Sequence, residues 1–99
     1  MKITSTMEDQ VATLELEGRL DTTTAPELEQ VLLPKLDAAE EIILDFERLD
    51  YLSSAGLRVL LAAQKKANRL QKAMTVKNVN DTIMEVFEMT GFADILSIE

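Results

Sequence analysis

The amino-acid sequence predicts an α/β fold with a mixed β-sheet and the element order β-β-α-β-α-β-α, to which residues 95–98 could add a final strand. Two observations support this order: short apolar runs of strand length alternate with longer segments in which apolar residues recur at helical spacing. Strands that alternate with helices require right-handed crossovers and therefore a partly parallel sheet. A third observation, two consecutive strands at the start, favours a mixed sheet.

The first two strands are predicted near the N-terminus, a weak one at residues 3–6 and a longer one at residues 11–17. The longer segment alternates between apolar and more polar residues, which is typical of a strand with one buried face. Gly18 is expected to end this strand, and residues 19–21 are expected to form its exit.

The first helix is predicted to begin after Thr24, which can supply the N-cap. Pro26 then lies in the first turn, and Glu27 stands three residues after the cap, as in a capping box. Apolar residues recur at helical spacing between residues 28 and 36. Pro34 is expected to kink this helix or to end it early, because proline lacks a backbone N–H.

The second half of the chain contains two further strands, predicted at residues 42–46 and 74–77. Between them lies a helix that begins at the serines described next. A third helix follows the later strand, and three residues could provide its N-cap: Asn78, Asn80 or Asp81. Gly91 is placed to end that helix in the left-handed conformation.

Two adjacent serines, Ser53 and Ser54, stand where the third strand leads into the second helix. A serine at such a junction ordinarily caps the helix by accepting a hydrogen bond from a backbone amide. The free N–H groups and the positive end of the helix also make the junction a natural anion site. The chemistry therefore leaves three roles open: a helix cap, an anion contact or an acceptor of phosphate.

The second helix carries a basic stripe on the side opposite its apolar arc. With residues about 100° apart around the axis, four basic residues gather there: Arg58, Lys65, Lys66 and Arg69. The ordinary interpretation is a solvated face, paired in part with nearby carboxylates. The functional alternative is a docking stripe for an acidic patch on a partner protein.

Composition limits the classes of function. With no His and no Cys, the chain lacks the usual general base, a thiolate nucleophile and the commonest transition-metal ligands. Carboxylate or lysine chemistry remains as an option, but no carboxylate spacing marks an acid/base pair and no Asp-rich metal spacing is present. We therefore predict no catalytic residues, no metal site and no cofactor. The formal net charge of −8 at pH 7 argues against nucleic acid, because Lys and Arg supply most of the affinity for phosphate. A basic or amphipathic protein partner suits this charge better.

Length and hydropathy predict a single domain of residues 1–99, long enough for one hydrophobic core. No segment approaches the ~20 apolar residues of a membrane span, and the N-terminal residues have no signal-peptide core. We therefore expect a cytoplasmic protein without membrane insertion.

Four segments, taken together, resemble the STAS domain family of bacterial anti-sigma factor antagonists. In chain order they are residues 18–21, residues 43–46, residues 51–57 and the tail from 79 to 95 with its Gly91-Phe92 pair. Their order is more specific than any one of them, and the resemblance covers essentially the whole chain. It implies a STAS-like mixed sheet with helices mainly on one face, and a role in transcription regulation and signal transduction rather than an enzymatic activity.

The resemblance also implies a site. In that family the phosphorylated residue is the Ser or Thr directly ahead of a small residue and a Gly-Leu pair, which is Ser54 here, with Ser53 the less favoured alternative. The family often has Asp immediately before the acceptor, where this chain has Ser53, and Asp21 matches an Asp that lies near it. The implied partner-binding residues are Asp21, Leu52, Ser53, Ser54, Ala55, Gly56, Leu57 and Arg58.

Members of the family bind an anti-sigma factor that is also a serine kinase of the GHKL type. The resemblance implies that binding releases the sigma factor, that phosphorylation of the antagonist ends the interaction, and that a PP2C-type phosphatase resets it. The alternative is a constitutive STAS-like subunit of a larger assembly, such as a lipid-transport ABC complex or a stressosome. In that alternative Ser54 would be a plain helix cap.

Overall fold

The computed structural model describes residues 1–99 as a five-stranded sheet with three α-helices. The predicted element order is confirmed, and the final strand is present as a pair of residues. The elements are β1 (Lys2–Glu8), β2 (Val11–Leu20), α1 (Ala25–Ala38), β3 (Glu41–Leu52), α2 (Ser54–Leu70), β4 (Ala73–Lys77), α3 (Asp81–Thr90), a 3₁₀ turn (Phe92–Asp94) and β5 (Ser97–Ile98). None of the helices has the length and apolar character needed to cross a membrane.

The sheet is mixed, as predicted. Its strands lie in the order β1-β2-β3-β4-β5; β1 pairs antiparallel with β2, and the other neighbours are parallel. Residues on one rung share a face, so Leu14, Leu44 and Val76 lie side by side and all three are buried. The helices cover this face, whereas the residues that alternate with these three are half-buried or, at Glu15, exposed.

The core is one cluster of 24 buried hydrophobic residues to which every helix and the central strands contribute. From α3, Phe87 meets Phe46 of β3, with ring centroids 6.4 Å apart. Burial of side chains of this size, worth roughly 1.5–3 kcal/mol each before entropic costs, fixes the helices against the sheet.

Strands β2 and β3 are both longer than predicted. Gly18 does not end β2: it lies inside the strand with a φ of +106°, where the register with β3 changes. Strand β3 contains two extra residues relative to β2, and each of them shifts the register. The buried positions of β3 are therefore every second residue up to Phe46 and every third residue after it, at Leu49 and Leu52. Such bulges interrupt strict alternation without ending the strand, which explains why the pattern ended at Phe46 in the prediction.

Helix α1 continues through Pro34 to Ala38, so the expectation of an early end was wrong. Pro34 is exposed, and the C-terminal carbonyls of α1 are held from outside the helix. The Lys66 ammonium donates to the Leu33 carbonyl at 2.9 Å, and the Lys72 ammonium donates to the Leu36 carbonyl. The Leu36 carbonyl is one of the last four of α1, which have no donor within the helix.

Helix α3 confirms both of its predicted ends. Among the three candidate caps, Asn80 is the one used: its Oδ1 accepts from the Ile83 amide at 2.8 Å. Its Nδ2 also donates to the Leu49 carbonyl at 3.1 Å, which ties the start of α3 to β3. Gly91 ends the helix with a φ of +82°, a conformation that glycine adopts without a steric penalty.

Candidate functional site

The serine junction and the Asp21 turn lie next to each other, where β2 and β3 both reach their carboxyl ends. Leu20 and Leu52 form the last paired rung of the two strands. Beyond that rung, the Ser53 amide donates a hydrogen bond to the Leu20 carbonyl at 2.9 Å. The structure therefore brings together the two segments that the sequence proposed as parts of one site.

The two serines have different surroundings. Ser53 is the N-cap of α2, with extended backbone, and its Oγ accepts a long hydrogen bond of 3.4 Å from the Gly56 amide. Ser54 is the first residue of the helix and is exposed, whereas Ser53 is half-buried. The capping role that the alternative hypothesis gave to Ser54 thus belongs to Ser53.

Gly56 allows the first turn of α2 to lie directly on the sheet. A Cβ atom on this residue would come within 2.7 Å of both Leu20 Cγ and Leu52 Cδ1. Because Leu20 and Leu52 are themselves buried, neither can move aside easily. Of the predicted site residues, Leu52, Gly56 and Leu57 are buried below the junction, and they support it from beneath.

Asp21 organises the turn between β2 and α1. Its Oδ1 accepts hydrogen bonds from the Thr23 and Thr24 amides at 3.0 and 3.1 Å. The Thr24 Oγ1 accepts from the Asp21 amide at 2.8 Å and donates to the Arg19 carbonyl at 2.7 Å. Thr24 thus occupies the predicted N-cap position of α1, but its side chain makes no capping hydrogen bond to the helix.

This turn favours the ionised form of Asp21. The hydrogen bond from the Thr24 amide, which is the largest cause, holds the pKa of the Asp21 carboxyl below the ordinary value of 3.8, and partial burial opposes it. The Thr23 amide and the Arg19 guanidinium act in the same direction as the Thr24 amide. A fixed negative charge therefore lies beside the serine junction at neutral pH.

A pair that the sequence prediction missed, Arg19 and Tyr51, lies beside Asp21. The Arg19 Cζ is 4.1 Å from the centroid of the Tyr51 ring, and its Nε is 3.7 Å from the Asp21 Oδ2. The two residues are partners in the β2–β3 register. Because the prediction ended both strands before these positions, it gave no reason to pair them. Tyr51 is 42% exposed and Arg19 is also exposed, so the pair belongs to the surface of the site.

An open groove lies beside Ser54, between the N-terminal parts of α1 and α2. It has a volume of about 350 Å³ and is partly apolar. Its lining residues are Thr22, Ala25, Pro26, Glu29, Ala55, Arg58, Val59 and Ala62. Predicted site residues Ala55 and Arg58 therefore open onto a concavity that can receive side chains of another protein.

The basic stripe of α2 divides into two parts. The Lys66 ammonium is 2.8 Å from the Asp37 carboxylate of α1, and its side chain is only 20% exposed. This hydrogen bond lowers the pKa of the Asp37 carboxyl below its ordinary value. Lys66 thus fits the ordinary interpretation of a charge paired within the protein, whereas Arg58, Lys65 and Arg69 are exposed.

The fold and the site define a small mixed-sheet domain of the STAS class. The family model described as "Mlab, STAS domain" matches residues 3–97, and the chain belongs to this family. It is also 32% identical, over 99 residues, to the anti-sigma-B factor antagonist of Staphylococcus aureus, with 99% of this chain and 92% of that protein covered.

Solved structures confirm the predicted fold. The unphosphorylated form of the anti-sigma factor antagonist SpoIIAA matches with a TM-score of 0.79 at 19% identity, covering 99% of this chain and 87% of that one. The phosphorylated form of the Bacillus protein SpoIIAA matches with a TM-score of 0.79 at 20% identity, over 99% and 91% of the two chains. An anti-sigma factor antagonist from Mycobacterium paratuberculosis matches with a TM-score of 0.88 at 22% identity, covering 98% of this chain and 83% of that one.

Proposed function

We propose that this chain is a cytoplasmic anti-sigma factor antagonist, acting as a single domain of residues 1–99. It binds an anti-sigma factor that is also a GHKL-type serine kinase and thereby releases the sigma factor. Phosphorylation of Ser54 ends the interaction, and a PP2C-type phosphatase restores it. The observation that carries this proposal is the exposed position of Ser54 at the first residue of α2, beside a groove. The name of the Staphylococcus aureus relative supports it.

Ser54 is a better phosphate acceptor than Ser53 for a geometric reason. The Ser53 oxygen accepts from the Gly56 amide and the residue is half-buried, so a kinase would have to break that hydrogen bond to reach the hydroxyl. Ser54 is exposed, and a kinase can reach its hydroxyl without disturbing the cap.

The fold should tolerate a phosphate on Ser54. A phosphoserine carries about −1.5 to −2 charges at neutral pH, and the N-terminus of a helix stabilises negative charge. The first turn of α2 contains no acidic residue that would already neutralise this end. Phosphorylation is therefore expected to change the surface of the site and to leave the packing below it intact.

The surface change acts through Arg58. This residue stands four positions after Ser54, so both side chains project from the same face of α2, and both are exposed. A phosphate on Ser54 would compete with an acidic patch of the partner for Arg58, and it would add to the negative charge of Asp21. Loss of a few kcal/mol at the interface lowers the affinity roughly hundredfold or more.

Affinity capture from cells of the source organism tests the proposal, with wild type, Ser54→Asp and Thr82→Asp as baits. Thr82 is exposed near the N-terminus of α3, so the control adds the same charge at another helix start. We expect wild type and Thr82→Asp to capture a kinase-type anti-sigma factor and Ser54→Asp to lose it. Mass spectrometry of the wild-type peptide that contains Ser53 and Ser54 should show phosphate on Ser54. Equal affinity of the purified kinase for all three proteins would refute the switch.

The second candidate function, a constitutive subunit of a larger assembly, is favoured by Ser53, which stands where the family often has Asp. It predicts a different outcome of the same experiment. Membrane transport subunits would be captured equally by wild type and Ser54→Asp, and neither serine would carry phosphate.

A further inference from the structure

Strand β1 forms one edge of the sheet and has no partner on its outer side. It lies at the end of the strand order and pairs only with β2. Six of its seven residues are exposed, and Ile3 is half-buried. The outer edge of such a strand presents unpaired backbone N–H and C=O groups, which can pair with another strand. The opposite edge is formed by β5, which has only two residues.

The sequence of β1 is complementary to itself when two copies run antiparallel. With Ser5 of one copy opposite Ser5 of the other, Lys2 lies opposite Glu8 and Ile3 lies opposite Met7. Thr4 then lies opposite Thr6. Cross-strand pairs of opposite charge, of apolar residues and of threonines all stabilise antiparallel strands. Every position of the strand therefore meets a residue of matching chemistry.

The same register also matches the two faces of the sheet. Ile3 and Met7 lie opposite Leu16 and Ala12 in β2, so they are on the face that carries the helices. Lys2 and Glu8 alternate with them and are on the open face. Because the pairing joins residues on the same face, the helices of both copies lie on the same side. Met7, which is 45% exposed in the single chain, is then covered by Ile3 of the second copy.

We propose that two copies of this chain form a symmetric dimer through antiparallel pairing of their β1 strands, giving one continuous ten-stranded sheet. The contact is one strand wide, and contacts of that size are weak and transient, so the dimer forms at high protein concentration. Two Lys2–Glu8 pairs at the open face make it sensitive to salt. None of the proposed site residues lies on β1, so dimerisation leaves Ser54 accessible and does not depend on the proposed function.

Charge reversal tests the pairing. Lys2→Glu or Glu8→Lys alone places like charges opposite each other at both ends of the dimer. Each is expected to raise the dissociation constant, measured by sedimentation equilibrium, about tenfold or more. An equimolar mixture of the two variants restores opposite pairs, so it should dimerise as wild type does. Since Lys2 also lies opposite Glu17 within the chain, circular dichroism checks folding, and Glu8→Lys is the cleaner of the two variants.

Cysteine cross-linking tests the register, because the chain has no Cys of its own. Ser5→Cys should form a covalent dimer on mild oxidation. Thr4→Cys and Thr6→Cys should cross-link with each other when mixed and far more slowly alone, because disulfides require close Cβ atoms. A wild type that stays monomeric throughout the concentration series would overturn the proposal. So would a mixture of charge variants that dimerises no better than each variant alone, or cross-linking of Thr4→Cys alone as fast as Ser5→Cys.

Discussion

At the scale of single residues, neighbouring side chains with the same chemistry take different roles because the backbone differs between them. Ser53 has an extended conformation and accepts a hydrogen bond from an amide of the helix that follows. Ser54, one residue later, already belongs to the helix and projects into solvent. The sequence proposed this pair as part of a candidate site, but it could not say which serine was the cap, since either fits the residue preferences of an N-cap.

The cap assignment predicts unequal effects of two alanine substitutions. Ser53→Ala should lower the free energy of unfolding by about 1 kcal/mol, because the Gly56 amide loses its partner. Ser54→Ala should change it by less than about 0.5 kcal/mol, as is usual at exposed positions. Ser53→Asp should keep the cap and the stability. Urea titrations of the three variants measure this, and an equal loss in both alanine variants would contradict the assignment.

Asp21 predicts a pH dependence of stability. Its pKa is lower in the folded protein than the ordinary 3.8, so it stabilises the fold fully above that value. This contribution is lost as the pH falls below 3.8 and through the lowered pKa of the folded state. Asp21→Asn cannot take up the proton and should show a shallower loss of stability in acid. Thermal unfolding of both proteins between neutral and acid pH measures the two slopes.

Asp37 provides a comparison for that experiment. Its pKa is also lowered, by the hydrogen bond from Lys66, so part of the acid dependence should persist in Asp21→Asn. A double Asp21→Asn, Asp37→Asn variant should be the least sensitive to acid. If stability fell equally steeply with pH in wild type and in the double variant, neither carboxylate would contribute to the acid dependence of stability.

At the scale of helices and strands, the sequence predicted which elements exist and in which order, and it failed mainly at their ends. Alternation ends at Phe46 because β3 contains extra residues, yet the strand continues to Leu52. The strand continues because its residues beyond Phe46 still pair with β2, and this pairing cannot be predicted from the sequence of β3 alone. Helix α1 continues through Pro34 to Ala38 although proline cannot donate to the Gln30 carbonyl. In both places a local signal predicted the end of an element that in fact continues.

Asn80 links two elements, which makes its contribution testable. Asn80→Ala removes both the cap of α3 and the hydrogen bond to the Leu49 carbonyl, and it should destabilise the fold by about 1–2 kcal/mol. Asn80→Asp keeps the cap and loses only the donor, so a smaller loss is expected. Chemical denaturation of the two variants separates the contributions. If Asn80→Asp were as unstable as Asn80→Ala, the hydrogen bond to β3 would be the dominant contribution.

At the scale of the whole molecule, the predicted fold class and sheet type agree with the structure because they depend on patterns that span the chain. Strands alternating with helices leave few arrangements once crossovers are right-handed, and the junction after β3 then falls at the carboxyl edge of the sheet. The contact of Arg19 with Tyr51 and the groove between α1 and α2 depend on exact register and on helix packing. Neither the strand register nor the packing of the helices can be predicted from a single sequence, so this contact and this groove were not predicted.

Gly56 and Ser54 differ in how freely each can vary without a cost to the fold. Any side chain at residue 56 would meet two buried leucines, so that position cannot vary without a cost to the fold. Ser54, two residues away, contacts solvent and is free to vary. A lineage could therefore lose or regain the hydroxyl at position 54 by a single codon change, while the domain that carries it persists unaltered.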